Sequence, residues 1–177
     1  MTATTTHIDA LRDRLPEAAK DLRLNLQSVL SAERLSAEQT WGTALASAYF
    51  VGSDELAEAL IADAQANGVD DNVIDDAKAA ASLMAMNTVY YRFRGLVEKE
   101  DYSKLPARLR MARIAKPATD KATFELFAMA CAALAGCHTC IKAHEASLIK
   151  HGLTIEHVHD AVRLGAVVNG VATALRL

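Results

Sequence analysis

At 177 residues, 51% hydrophobic and 5% aromatic, the chain is long enough for one domain or two fused half-size units. Its core must be built mostly from Ala, Leu, Val, Ile and Met. A net charge of −3 without a basic patch sets nucleic-acid binding aside, and no apolar run reaches the roughly 18 residues of a membrane span. Helix signals then run the length of the chain. Thr6, with Asp9 three residues on, caps a first short helix, and Pro16 suits the first turn of a second, to about Val29. Ser36-Ala-Glu-Gln39 reads as a capping box for a helix to about Val51, ended by Gly52. Ser53 or Asp54 starts the next, which stops at Asn67-Gly68, and Asp70 caps another to about Tyr91. Residues 95–119, with Pro106 and Pro117, read as a connector holding one short helix. Helical patterning resumes at Thr119 or Asp120 and ends near Gly136. It restarts at the cysteines, runs to His151-Gly152, and continues after Thr154 to the C-terminus.

The fold class is therefore all-α. An ungapped shift of 84 residues lays Gly52 on Gly136 and Gly68 on Gly152, and Asp76-Ala77 on Asp160-Ala161. Helix-ending glycines in register mark the same helix–turn–helix breaks twice. Residues 1–177 thus read as a single domain with an internal helical repeat, about 36–95 and 120–177. Cys137, Cys140, His144 and Glu125 align with Ser53, Leu56, Leu60 and Trp41, so only the second half carries the chemistry.

That chemistry centres on Cys137-His138-Thr139-Cys140. Gly136 stops one helix and Cys137 begins the next, so both thiols fall where unpaired N–H groups and the helix dipole favour a thiolate. His144 lies four residues after Cys140, on the same helix face, and can accept its proton. Glu125 precedes Gly136 by eleven residues and His144 follows it by eight, roughly 16 Å and 12 Å along an antiparallel hairpin. At those depths a carboxylate can orient the imidazole.

Other readings compete. C-x-x-C-x-x-x-H also offers three zinc ligands, with His138 or Glu125 as a fourth, but no second cysteine or histidine pair completes a site. Cys131, among Ala and Met, reads as a buried structural thiol. His138, His157 and His159 read as solvated helix-start residues, and Tyr90–Arg94 as a site or a subunit contact. The odd cysteine count argues against a structural disulfide framework, and Met1–His7 lacks the pattern of a signal peptide, so the expected location is the cytoplasm.

Glu125, eleven intervening residues, then Cys137-x-x-Cys140-x-x-x-His144 resembles the AhpD alkylhydroperoxidase family, within the wider carboxymuconolactone-decarboxylase-like superfamily. Pro16–Leu26, Trp41–Ala48, Met86–Gly95 and Phe124–Leu126 resemble AhpD proper, so the likeness spans nearly the whole chain. The resemblance implies an AhpD-like multihelical fold of two related halves, assembled as a trimer. It implies an antioxidant enzyme that reduces a partner peroxiredoxin, AhpC, and has peroxidase activity of its own. It implies no tightly bound cofactor. It implies that electrons come from the lipoyl group of a partner acyltransferase, recharged by dihydrolipoamide dehydrogenase. Carried over by position, Cys140 forms the sulfenic acid, Cys137 is the second thiol of the redox disulfide, and Glu125 and His144 form the proton relay.

One departure stands out. Some members carry histidine immediately before the second cysteine, where this chain has Thr139, with His138 one position earlier. One residue rotates a side chain by about 100° around a helix, so His138 receives no relay role. Helix-start electrostatics favour Cys137 as the lower-pKa thiol, whereas the resemblance and the i, i+4 histidine favour Cys140. A specific base outweighs a dipole worth roughly 0.3–1 kcal/mol at the surface, so Cys140 is taken as the attacking thiol. The alternative is a decarboxylase-branch lyase working with His144 and Glu125 and needing neither thiol.

Overall fold

Ser36 Oγ accepts from the Gln39 N–H at 3.2 Å, and the Gln39 side chain accepts from the Ser36 N–H at 3.1 Å, so the capping box forms as written in the sequence. Such local signals set several of the helix starts in the computed structural model, which describes residues 4–31 and 33–177. Met1–Ala3, part of the segment read for a signal peptide, lie outside the described residues. The helices are α1 (Thr6–Asp13), α2 (Lys20–Leu30), α3 (Ala37–Phe50), α4 (Asp54–Ala66), α5 (Asp71–Val97), α6 (Glu100–Lys104), α7 (Ala112–Ala115), α8 (Lys121–Leu134), α9 (His138–Lys150) and α10 (Ile155–Ala174). Among the described residues there is no strand, and no helix is long and apolar enough to cross a membrane.

Helices α3 and α8 pack against each other at the centre, and each also packs against both α5 and α10. Helix α4 lies on α3 under α1, helix α9 lies on α8 beside α5, and α2 covers α10. The core is aliphatic, as the composition requires: Leu45, Leu56, Leu60, Leu126, Leu164 and Val168 are buried, with Phe124, Phe127 and Trp41 as its large aromatic members.

Several boundaries differ from the sequence expectations. Thr6 is the first residue of α1 rather than its cap; Thr5 holds the N-cap position, and its hydroxyl bonds Asp9 at 3.0 Å. Pro16 precedes a single 3-10 turn, Glu17–Ala19, and α2 begins only at Lys20. Helix α5 continues past Tyr91 to Val97, because its last two turns have a neighbour to pack on. Arg92 Nη1 donates to the Ala135 carbonyl at 2.7 Å, and Gly95 lies against Thr139 at the start of α9. The connector is consequently shorter, and it holds two short helices, α6 and α7, instead of one.

Three helices fall twice at the same interval. α3 and α8 both span 14 residues, α4 and α9 both span 13, and α5 and α10 begin at Asp71 and Ile155. Each start is separated from its counterpart by 84 residues. The turns after α3 and α8 use Gly52 at φ 72° and Gly136 at φ 62°, a left-handed backbone that suits glycine.

Candidate active site

The Gly136 turn delivers Cys137 to the N-cap of α9 rather than to its first helical residue. Cys137 Sγ there accepts the Cys140 N–H at 3.3 Å, in the manner of a capping oxygen. Cys137 and Cys140 are joined by a disulfide, with their Cα atoms 5.2 Å apart. Both are buried, while the intervening His138 and Thr139 are exposed. A groove of about 290 Å³ runs over that exposed segment, between Thr139 and His138 on one side and Arg92, Gly95 and Leu96 of α5 on the other.

Glu125 projects from the middle of α8. It is only 3% exposed, so its charge must be met inside the protein. Two donors meet it. His144 Nδ1 lies 2.5 Å from Oε2, and Lys121 Nζ lies 2.6 Å from Oε1. Burial pushes the Glu125 carboxyl up, but the bonds from His144 and Lys121 outweigh that and leave it below the usual carboxylate value. An ionised carboxylate only accepts, so Nδ1 of His144 carries the hydrogen, and in the neutral imidazole the lone pair then falls on Nε2. His144 and Cys140 sit one turn apart on α9. The arrangement is thus a carboxylate-oriented imidazole on the helix that carries the dithiol. Such a set can draw a proton from a thiol and return it to a leaving group.

The other candidate residues lie elsewhere. Cys131 is a free thiol buried on α8, with Sγ 3.7 Å from the Ala46 carbonyl, and burial pushes its pKa far up, which makes it unreactive. His138 is exposed and outside the Glu125–His144 pair. His159 is exposed, but His157 is half-buried and accepts the Thr154 N–H at 3.2 Å, so it caps α10 instead of standing free in solvent. Among the described residues no three His, Cys, Asp or Glu side chains converge as metal ligands. In Tyr90–Arg94, Tyr90 and Tyr91 meet edge to face, and Arg94 lies over the Tyr90 ring.

Sequence reasoning missed Lys121. Its signal was present, an i, i+4 Lys–Glu pair, but such a pair ordinarily lies on a solvated helix face. Lys121 is also tied to the connector, donating to the Ile114 carbonyl at 2.6 Å.

Fold and site together define an all-helical protein with a helix-start dithiol and a buried Glu–His pair. Residues 100–177 match the carboxymuconolactone decarboxylase family. Over 170 residues the chain is 51% identical to alkyl hydroperoxide reductase AhpD of Anaeromyxobacter dehalogenans (strain 2CP-C), covering 96% of this chain and 91% of that protein. It is 48% identical over 168 residues to AhpD of Maricaulis maris (strain MCS10), covering 95% and 96%. It is 45% identical over 168 residues to AhpD of Brucella suis (strain ATCC 23445 / NCTC 10510), covering 95% of each. The chain belongs to the AhpD family.

Proposed function

We propose that this protein is an antioxidant alkyl hydroperoxide reductase and thiol–disulfide oxidoreductase that works through Cys137 and Cys140 and regenerates a partner peroxiredoxin, AhpC. The observation that carries the reading is the pairing of Glu125 with His144 one turn from Cys140, on the helix that Cys137 caps. A buried dithiol with its own base has little structural purpose, whereas peroxide chemistry needs a thiolate at neutral pH.

In the reduced enzyme, His144 Nε2 takes the Cys140 proton while Glu125 holds Nδ1. The thiolate attacks the peroxide O–O bond, forming an S–O bond and releasing the alcohol, which takes a proton from the relay. Cys137 then attacks the sulfenic sulfur. The S–S bond forms, and the hydroxyl leaves as water with the Cys137 proton. In the exchange branch, Cys140 attacks an oxidised partner's disulfide and Cys137 resolves the mixed species. Two electrons from a dihydrolipoyl group, borne by a partner acyltransferase and renewed by dihydrolipoamide dehydrogenase, restore the dithiol. Trimer assembly belongs to the same reading, and the exposed Val89, Phe93 and Leu96 of α5 support a contact surface.

The expected outcome is that Cys140→Ser abolishes peroxide turnover and Cys137→Ser accumulates mixed disulfides. Stopped-flow peroxide consumption and non-reducing gels read the two effects. A fully active Cys140→Ser protein overturns the proposal. Lyase activity that survives blocking of both cysteines assigns the chain to the decarboxylase branch.

A further inference from the structure

We infer that Lys121 is a positioning residue of the relay: its ammonium group on Glu125 Oε1 supplies the charge that lets the Glu125–His144 pair stand ready as a base. The inference rests on the relay proposed above and adds a third member to it.

The charges make the case. Glu125 is almost fully buried, and each of its oxygens has one donor. With Lys121 protonated and Glu125 ionised, the set Lys121, Glu125, His144 and Cys140 is neutral overall. It remains neutral when the thiol proton passes to His144, because that proton moves within the set. Without the ammonium group, the same buried set carries a net negative charge. Burying an uncompensated charge is expensive, and the nearest relief is a proton bound by the Glu125–His144 pair, on either member. That proton occupies the base. Removing a nearby cation also makes the thiol harder to ionise, so both effects move the chemistry to higher pH.

Among the described residues no other cation bonds Glu125: Lys142 and Lys150 of α9 are exposed, and Glu145 of α9 and Glu38 of α3 make no bond to it. On the elements packed against α8, Arg113 of α7 pairs with Asp75 and Asp76 of α5, and Arg92 of α5 bonds the Ala135 carbonyl. Asp160 of α10 pairs with Arg34 and Arg163. Glu125 takes its ionic and hydrogen-bonded partners from Lys121 and His144.

A purely structural role would lie in the bond from Lys121 to the Ile114 carbonyl, which fastens the connector to α8. Two substitutions separate the roles: Lys121→Gln keeps a donor and loses the charge, while Lys121→Arg keeps the charge. The readout is the pH dependence of Cys140 alkylation by iodoacetamide in the reduced protein carrying Cys137→Ser. Lys121→Gln is expected to move the acid limb of that profile up by about one pH unit. Lys121→Arg is expected to restore the limb, and Lys121→Gln placed on Glu125→Gln is expected to add a smaller shift than it makes in the presence of Glu125. Lys121→Met takes the place of Lys121→Gln if the latter does not fold. An unmoved limb in the neutral variant, or an equal shift in Lys121→Arg, overturns the inference. A profile insensitive to His144→Asn strikes the relay itself and is read separately.

Discussion

Glu125 holds its geometry because each oxygen is spoken for, Oε2 by His144 and Oε1 by Lys121. In the proposed mechanism its carboxylate orients the imidazole and offsets the imidazolium formed when the thiol proton arrives. Glu125→Gln keeps the shape and loses the charge. Peroxide turnover is therefore expected to fall on the order of 10²-fold, the scale of a general-base contribution, with the helical circular dichroism unchanged. A Glu125→Gln enzyme of undiminished kcat would remove the carboxylate from the mechanism. The meeting of Glu125 with His144 was legible in the sequence, because spacing along two helices of a hairpin fixes their relative depths. Lys121 was not, since an i, i+4 pair becomes informative only once Glu125 is known to be buried. The capping role of His157 was hidden for a similar reason: a histidine at the third helical position gives no sign of which way its ring folds.

Helices α3 and α8 approach each other closely at Gly42, and this contact sets the platform from which Glu125 projects. A Cβ on Gly42 would stand 2.1 Å from Phe127 Cζ, and Phe127 is fully buried, so its ring has nowhere to turn. Gly42→Ala is expected to destabilise the fold by about 1–3 kcal/mol, the usual range for overpacking, despite alanine's better helix propensity. Urea unfolding measures it, and a stabilised variant would show that the α3–α8 contact is looser than described. The starts of α3, α5 and α8 were read well from sequence because caps are local: Ser36, Asp70 and Asp120 each bond an N–H of their own first turn. The end of α5 was read poorly because it is tertiary. Arg92 and Gly95 extend the helix by meeting Ala135 and Thr139, residues more than forty positions away.

Across the whole molecule, the helix boundaries recurring at 84 residues support the reading of a duplicated unit, with the dithiol in the second copy alone. A pair of buried aspartates, 84 residues apart, ties α5 and α10 to the segments that lead into α8 and α3. Asp160 of α10 bonds Arg34, just before α3, while Asp76 of α5 bonds the segment just before α8. Asp76 is fully buried and accepts from the Arg113 Nε at 2.6 Å, the Ala118 N–H at 3.1 Å, and both the N–H and hydroxyl of Thr119 at 2.7 Å. Burial pushes its carboxyl up, but the Thr119, Ala118 and Arg113 bonds together hold it below the usual value. A carboxyl whose folded pKa is depressed stabilises the protein above its unfolded value, near pH 4, and that contribution drains away as pH falls through the folded value. Asp76→Asn replaces an acceptor with an amide that cannot satisfy four donors. At pH 7 it is expected to cost about 1–3 kcal/mol, the scale of breaking charge-assisted hydrogen bonds at a buried acceptor. Asp120, Glu125 and Asp160 are depressed as well, so acid weakens both proteins. The gap between them isolates Asp76: it is expected to be full at pH 7 and to narrow steadily below pH 4 as the native aspartate protonates. Urea midpoints of the two proteins from pH 7 down to pH 3 test this, and a gap that stays constant across the range would show that the charge of Asp76 does not hold the segment before α8.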